Sequence, residues 1–437
     1  MATRSCTDND AFTTSPTATL TFSADSVKMD TVFSNVGSRT YDFWVYNRST
    51  RGVRLQSVRL QQGNQTGFRV NVDGSYLDNT LGSVVSDLEV RSGDSLRVFV
   101  ELTAPYNRQS APQLIEDRLV FTLESGVQQH VTLWAHAWDA LIADSIIVSR
   151  DTLIESRQPI VVMNGIRVDS CATLTVRNTT LYFHDKAGID VYGTIMTDSV
   201  VMRGDRLDHM FDYLPYDRVS GQWGSDGGVV IHTSSTGNVM RDTEIRNAGQ
   251  YGILCDSAAI DDSVLRLDME RCVVHNCTGS GVASYNANIR LRQCQITNNG
   301  GECLSVVGGR ADVSRCTIAQ FYPFVGGRGP AVFLANSTPL LSFICDSSIV
   351  TGYDDDVMLG EASADTTSVF EYSFSNSLLR TPRVETDDSV RYTNIIWESP
   401  DDSIQGKQHF RLIDERNLIY DFHLDSLSTA VGLGCYD

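Results

Sequence analysis

The chain has 437 residues, a length that suits two or three domains. Asp and Glu total 54 against 35 Lys and Arg, a formal charge of −19, with only three lysines: Lys28, Lys186 and Lys407. That balance argues against a nucleic-acid partner, no apolar run reaches the roughly 18 residues of a spanning helix, and ten cysteines without paired spacing make no disulfide scaffold.

Residues 1–18 are polar and rich in Thr, Ser and Asp, which reads as a flexible tether. Within it, Cys6-Thr7-Asp8-Asn9-Asp10 resembles the lipidation cysteine and acidic export signal of Bacteroidetes-type surface lipoproteins. The resemblance implies acylation of Cys6, a place in the cell envelope at the outer membrane or cell surface, and membrane attachment only through a lipid anchor. Met1 to Ser5 contain no apolar stretch, a departure from that pattern. Asp followed by Ser or Thr and an apolar residue recurs, as in Asp25-Ser26-Val27 and Asp144-Ser145-Ile146, and resembles the O-glycosylation sequon of the same group.

Residues 19–140 carry alternating apolar runs at 20–22, 41–46, 53–60, 68–72, 96–102, 119–123 and 131–135. Turn residues such as Val72-Asp73-Gly74 and Ser92-Gly93-Asp94 separate them. Short strands at this spacing predict an immunoglobulin-like β-sandwich. The placing of Val45-Tyr46-Asn47, the Ser92-Gly93-Asp94 turn and the closing Thr132-Leu133-Trp134 resembles ASH-type envelope modules, which implies a spacer or docking surface.

Residues 141–437 read as a solenoid. Irregular early rungs come first, with strands near 160–163, 166–168, 174–176, 181–183, 189–191 and 200–202. An interruption at 203–226 is too long for a rung turn. From Met240 to Leu359 the pattern repeats. Met240, Met269, Leu291, Val313 and Ile344 form one column; Ile245, Val274, Ile296, Ile318 and Ile349 form a second. A third holds Ile253, Val282, Leu304, Val332 and Val357, often followed by an apolar residue two places on. A repeat of about 22 residues with period-two pairs allows three short strands and three bends, and predicts a parallel β-helix. Asn247, Asn276, Asn298 and Gln320 suggest a stacked amide ladder at one bend. Thr243, Cys272, Cys294, Cys316 and Ser347 suggest a buried column of small side chains with free thiols, since in-register stacking aims the Cβ vectors alike. Residues 360–437 read as final irregular rungs, with strands near 370–374, 390–397 and 410–413, closing the far end.

The interruption concentrates the candidate chemistry. His209, Asp212 and Asp217 are candidate catalytic groups, and Tyr213, Tyr216, Arg218 and Trp223 candidate ligand contacts. Aromatic rings stack on the apolar face of a sugar, while carboxylates and Arg bond its hydroxyls. The competing reading is that Tyr216 and Trp223 pin the loop to the solenoid. Asp354-Asp355-Asp356 are candidate Ca2+ ligands, or an exposed acidic turn. Leu214-Pro215-Tyr216-Asp217, Gly221-Gln222-Trp223-Gly224 and Tyr420-Asp421-Phe422-His423-Leu424 resemble segments of right-handed β-helix proteins of Bacteroidetes envelopes. Ser428-Thr429-Ala430 departs mildly from the way that family continues. The resemblance implies the fold and the compartment but no mechanism.

The expectation is therefore an all-β chain, a β-sandwich followed by a right-handed parallel β-helix. It would be a non-enzymatic envelope lipoprotein that binds a polysaccharide or an envelope protein, needing no cofactor, with Ca2+ the one candidate. The alternative is a polysaccharide lyase or hydrolase on the same scaffold. It requires Lys186 or an Arg in one groove with the acids.

Overall fold

The computed structural model describes residues 11–207, 222–224, 227–258, 264–324, 326–417 and 419–436. Among them no α-helix occurs; two short 3-10 turns, Asn79–Leu81 and Gly406–His409, interrupt an otherwise all-β chain. The chain forms two compact units divided between Ala140 and Leu141.

The first unit is two five-stranded sheets. One joins Thr21–Phe22, Tyr41–Tyr46, Ser95–Leu102, Phe68–Val72 and Ser75–Tyr76 in that order, all antiparallel. The other joins Ser26–Phe33, Gln128–Trp138, Gln113–Leu123, Val53–Leu60 and Val84–Val90. Alternate residues such as Phe43, Val45, Val70, Val98, Val100, Phe121 and Leu133 face inward and form one buried core. All seven expected runs meet strands, six of them wholly and the first from Thr21 on. Three strands escaped the sequence reading. Ser26–Phe33 buries Val27 and Met29, then Val32 and Phe33 after a register shift in its parallel pairing with Gln128–Trp138, so no single alternation runs through it. Ser75–Tyr76 is two residues long, and Val84–Val90 buries only Val90.

The second unit stacks its strands in parallel on three faces, here A, B and C in chain order within a rung. Face A passes from Tyr251–Cys255 to Ser280–Ser284 and on to Leu304–Val307. Face B passes from Asn238–Arg241 to Leu267–Glu270 and Ile289–Arg292. Face C passes from Glu244–Arg246 to Val273–His275 and Gln295–Thr297. The inward columns are those expected through the fourth copy: Met240, Met269, Leu291 and Val313 on face B, and Ile245, Val274, Ile296 and Ile318 on face C. The fifth copy is one residue later than expected. Val313 pairs with Cys345 rather than Ile344, Ile318 with Val350 rather than Ile349, and Val332 with Met358 rather than Val357. The cause is an irregular crossing in Val332–Asp346, where Gly309 pairs with Leu340 but Arg310 with Ser342. Ile344 consequently points outward and is 45% exposed.

Each rung turns on residues in the left-handed region. Between faces B and C these are Asn178, Ser199, Asp242, Arg271, Gln293, Arg315, Ser347, Asn376 and Asn394; between C and A they include Asn247, Asn276 and Asn298. Asn tolerates positive φ better than most side chains, which explains that column. The expected amide ladder does not form. The backbone carries the stack instead, with the Asn276 N–H donating to the Asn298 carbonyl and the Asn298 N–H to the Ala319 carbonyl. The side-chain ladder belongs to the other column. The Cys294 N–H donates to Cys316 Sγ at 3.4 Å, the Cys316 N–H to Ser348 Oγ at 3.0 Å, and the Ser348 N–H to Ser377 Oγ at 3.0 Å. Each thiol or hydroxyl also donates to the carbonyl two residues back, as Cys316 does to Ser314 and Ser348 to Asp346. Ser348 therefore replaces Ser347 in this column. Cys255, Cys272, Cys277, Cys294, Cys303, Cys316 and Cys345 are free and buried. Burial drives the thiols of Cys255, Cys277, Cys303 and Cys345 up to about 12.

Outside, face B carries charges of alternating sign on successive rungs: Arg241, Glu270 and Arg292 in one column, Asp268, Arg290 and Asp312 beside it. Arg241 bonds Asp268 at 3.2 Å and Glu270 at 3.1 Å, and Arg292 reaches both acids. Phe410–Asp414 is not a rung strand. It pairs antiparallel with Ile419–Leu424, and the hairpin lies on the outer side of face C. There Phe410, Phe422 and Ala430 cover Ala319, Ile349 and Leu378, so the C-terminal segment covers a side of the solenoid as well as following its last rungs.

Native protein is expected to expose only Cys171 promptly and Cys435 slowly among the nine described cysteines, with the other seven reacting after unfolding; titration with a thiol reagent before and after denaturant checks this. Cys316→Ser should keep the ladder, whereas Cys316→Val strands the Cys294 N–H and should lower stability by about 1–3 kcal/mol in denaturant unfolding.

Candidate functional site

Face C changes character along its length. Where the hairpin covers it, the outward side combines the apolar Ala319, Ile349 and Leu378 with the buried polar Thr351 and Arg380. On the earlier rungs the same outward column is polar and aromatic: Tyr182, then its register partner Arg203, then Arg246 and its register partner His275. Glu244 stands two residues before Arg246 on the same side of the strand.

These groups touch. His275 Nε2 lies 3.1 Å from Glu244 Oε1, and Arg246 Nε lies 3.3 Å from the same oxygen. The Arg203 guanidinium sits 5.6 Å from the centre of the Tyr182 ring. The side chains of Arg246, Glu244 and His275 keep 33%, 31% and 19% of their exposure, so solutes can reach them. Burial alone would raise the Glu244 carboxyl, but the His275 hydrogen bond and charge, with Arg246 and Arg203, hold it down at about 2. Burial, then the Arg246 charge, lowers Arg203 to about 10. Beside this column His184 Nδ1 pairs with the buried Asp205 at 2.7 Å.

The result is a carboxylate kept ionised among two guanidiniums, an imidazole and a phenol. A general acid must hold a proton near the working pH, which Glu244 does not. Tyr182 is itself buried, so what the group presents outward is the fixed donors and acceptors of Arg246, Glu244 and His275, the requirement for recognising hydroxyls.

The interruption leaves the solenoid next to this column. Tyr182, Phe183 and Asp205 mark its departure, and Trp223 its return. Trp223 is fully buried, its ring stacked on Phe183 with centroids 4.4 Å apart, and its indole N–H donates to the Arg246 carbonyl at 2.8 Å. Of the two readings of Trp223, the structure therefore supports the pin: this ring holds the loop end and the Arg246 backbone and is closed to a ligand. His209, Asp212, Tyr213, Tyr216, Asp217 and Arg218, and Cys6 in the tether, lie outside the described residues. Lys186 is exposed two residues beyond His184.

Asp354 and Asp355 are engaged by arginines, Asp354 with Arg328 and Asp355 with Arg380, each at 3.3 Å, and Asp356 Oδ1 accepts from the Met358 N–H at 3.1 Å. Among the described residues no group of three or more His, Cys, Asp or Glu is arranged to hold a metal ion. Arg380 belongs to a buried cluster that sequence reading missed. Its guanidinium bonds Glu398, which also accepts from Thr351 Oγ1 at 2.8 Å and lies 3.4 Å from His409 Nε2. His409 Nδ1 meets Ser428 Oγ at 2.8 Å. Burial pushes the Glu398 carboxyl up, but bonds from His409, the Gly406 amide, Thr351 and Arg380 outweigh it and hold it below its ordinary value. This cluster fastens the hairpin to the last rungs and is closed to solvent.

Trp223→Ala should cost about 3–5 kcal/mol in denaturant unfolding through the cavity it leaves. Glu398→Ala, which leaves Arg380 buried without its partner, should cost about 3–5 kcal/mol. Because the Glu398 carboxyl is depressed in the folded state, its stabilisation is present above the ordinary carboxylate value of ~4.3 and fades as pH falls below it. A thermal midpoint measured against pH should fall more steeply on the acid side in wild type than in Glu398→Gln.

A family described as right handed beta helix region matches residues 149–318. Among solved structures, the ASH/PapD-like domain of human CEP192 matches at 13% identity with a TM-score of 0.19, over 29% of this chain and 89% of that one. The A-module of the mannuronan C-5 epimerase AlgE6 of Azotobacter vinelandii matches at 11% identity with a TM-score of 0.27, over 61% of this chain and 91% of that one. The catalytic domain of a GH87 α-1,3-glucanase in complex with nigerose matches at 9% identity with a TM-score of 0.29, over 85% of this chain and 90% of that one. No curated protein matches the sequence. The family match and the three stacked parallel faces agree: a right-handed parallel β-helix follows the N-terminal β-sandwich.

Proposed function

We propose that the chain is a cell-envelope protein, held by a lipid on Cys6, that binds a polysaccharide on face C of its β-helix without turning it over. The observation that carries the reading is the outward group Arg246, Glu244 and His275, which solvent reaches, with Arg203 and the buried Tyr182 in line on the rungs before them. Rungs stack at ~4.8 Å, so a column of this kind offers several contacts to an extended polymer lying along the solenoid axis. Its acids and bases pair with one another, which suits hydrogen bonding to hydroxyls better than proton transfer. The loop candidates Tyr213, Tyr216 and Arg218 belong to the insertion that starts and ends beside this group, and they are proposed as further contacts.

One observation favours a second reading. Arg203 shares its outward column with Arg246 and lies close enough to Glu244 for its charge to act on that carboxyl, the juxtaposition of a basic group and an acid that a lyase needs. On a uronate polymer, proton abstraction by Arg203 would make the protein a lyase.

The test exposes purified protein to neutral and uronate polysaccharides, with and without Ca2+, reading affinity and unsaturated chain ends together. Binding without product, weakened at least tenfold in Glu244→Gln or Arg246→Ala while the fold persists, supports the binding protein. Unsaturated ends that vanish in Arg203→Lys move the assignment to the lyase. No binding and no product removes both.

A further inference from the structure

The outer face of the sheet running from Thr21–Phe22 to Ser75–Tyr76 gathers aromatic and paired charged side chains. Strand register brings its outward residues into rows. One row runs Asp42, Phe99, Asn71, Tyr76 across four strands, and Trp44 and Arg97 are register partners in the next row. On the other side Glu101 is the partner of Arg69.

Single exposed rings are ordinary, but several gathered on one sheet face form a patch of the kind that marks a binding surface. Tyr76 is 68% exposed and Trp44 39%. The Trp44 and Tyr46 rings are close to parallel, 15° apart with centroids separated by 6.5 Å. The Arg97 guanidinium lies 4.8 Å from the Phe99 ring centre and 5.5 Å from that of Trp44, bridging the two. The polar groups among these rings are oriented before any ligand arrives. Glu101 accepts from Thr40 Oγ1 at 2.7 Å and from Arg69 at 3.1 Å, and Asp42 accepts from Arg97 at 2.9 Å. Between them opens a cleft of about 340 Å³ lined by Thr40, Arg69, Asn71, Tyr76, Phe99 and Glu101.

We infer that this face of the sandwich is a second carbohydrate site, one that takes a neutral hexose unit of a glycan chain. Tyr76 and Phe99 supply the walls on which the apolar side of a pyranose rests. Arg69, Asn71, Glu101 and Thr40 supply donors and acceptors for its hydroxyls. The neighbouring strip of Trp44 and Tyr46 continues the surface for the next residues of the chain. At the cleft the charges favour a neutral ligand over an acidic one, since Arg69 pairs with Glu101 and Arg97 with Asp42; Arg48, over the Tyr46 ring, stands at the far end of the strip. The site is separate from the face C group and does not depend on that assignment.

The test titrates the full chain with neutral gluco-, manno- and galacto-oligosaccharides by calorimetry and saturation-transfer NMR. Wild type is compared with Tyr76→Ala, Arg69→Ala and Glu244→Gln. Tyr76 lies on a two-residue edge strand and is mostly exposed, so its truncation should leave the thermal midpoint unchanged. The expected result is binding of at least one neutral oligosaccharide, at least tenfold weaker in Tyr76→Ala and Arg69→Ala and unchanged in Glu244→Gln. Binding lost in Glu244→Gln but kept in Tyr76→Ala overturns the inference while leaving the face C reading intact. No neutral sugar bound by wild type overturns it as well, and assigns the exposed rings to a protein partner.

Discussion

Parallel in-register stacking is the constraint on which the second unit depends. Each rung gives its strand hydrogen bonds to the next at ~4.8 Å, so a side chain's neighbours above and below are fixed by register. Inside, this produces columns that must be chemically self-compatible. Apolar residues satisfy that on all three faces, and the thiol and hydroxyl ladder satisfies it at the B–C bend, where backbone amides would otherwise face the core without acceptors. The same rule acts outside, and there it makes function possible: residues far apart in sequence, such as Tyr182 and His275, fall on one column of one face.

The inside columns were legible because burial imposes a period that survives in the residue types. The parallel β-helix and four copies of its repeat follow from that period, while its hand was implied by the family resemblance. The fifth slipped for a physical reason. Ile349 is apolar not because it faces the core but because the C-terminal hairpin covers the outside of face C there, and Cys345 looked a weaker core residue than its neighbour Ile344. A second layer added on the outside erases the contrast between in and out that sequence reading relies on. The hairpin itself was misread as a rung for a related reason, since an apolar strand announces burial but not its partner's direction.

The candidate site was hardly legible. An interruption in a repeat draws the eye, and the 203–226 segment is full of groups suited to chemistry. Its one described candidate, Trp223, turned out to be a buried pin. The face C group has no local signature. Its members come from four rungs, separated by irregular insertions, and each alone looks like an ordinary surface residue. Laying out the positions that flank each inward column would have placed Tyr182, Arg203, Arg246 and His275 in line, given the correct register. Their mutual distances and the depressed Glu244 carboxyl could come only from coordinates.

The alternating charges on face B bear on how such a solenoid can grow. Arg241, Glu270 and Arg292 take turns in sign, and so do Asp268, Arg290 and Asp312 in the adjacent column. Copying a single rung would set Glu270 against its own duplicate, and Asp268 likewise or Arg290 against Arg290, placing like charges one strand spacing apart. Copying two adjacent rungs preserves every attraction. The ladder therefore imposes a parity on the repeat, making gain or loss by pairs the electrostatically tolerated route along this stretch.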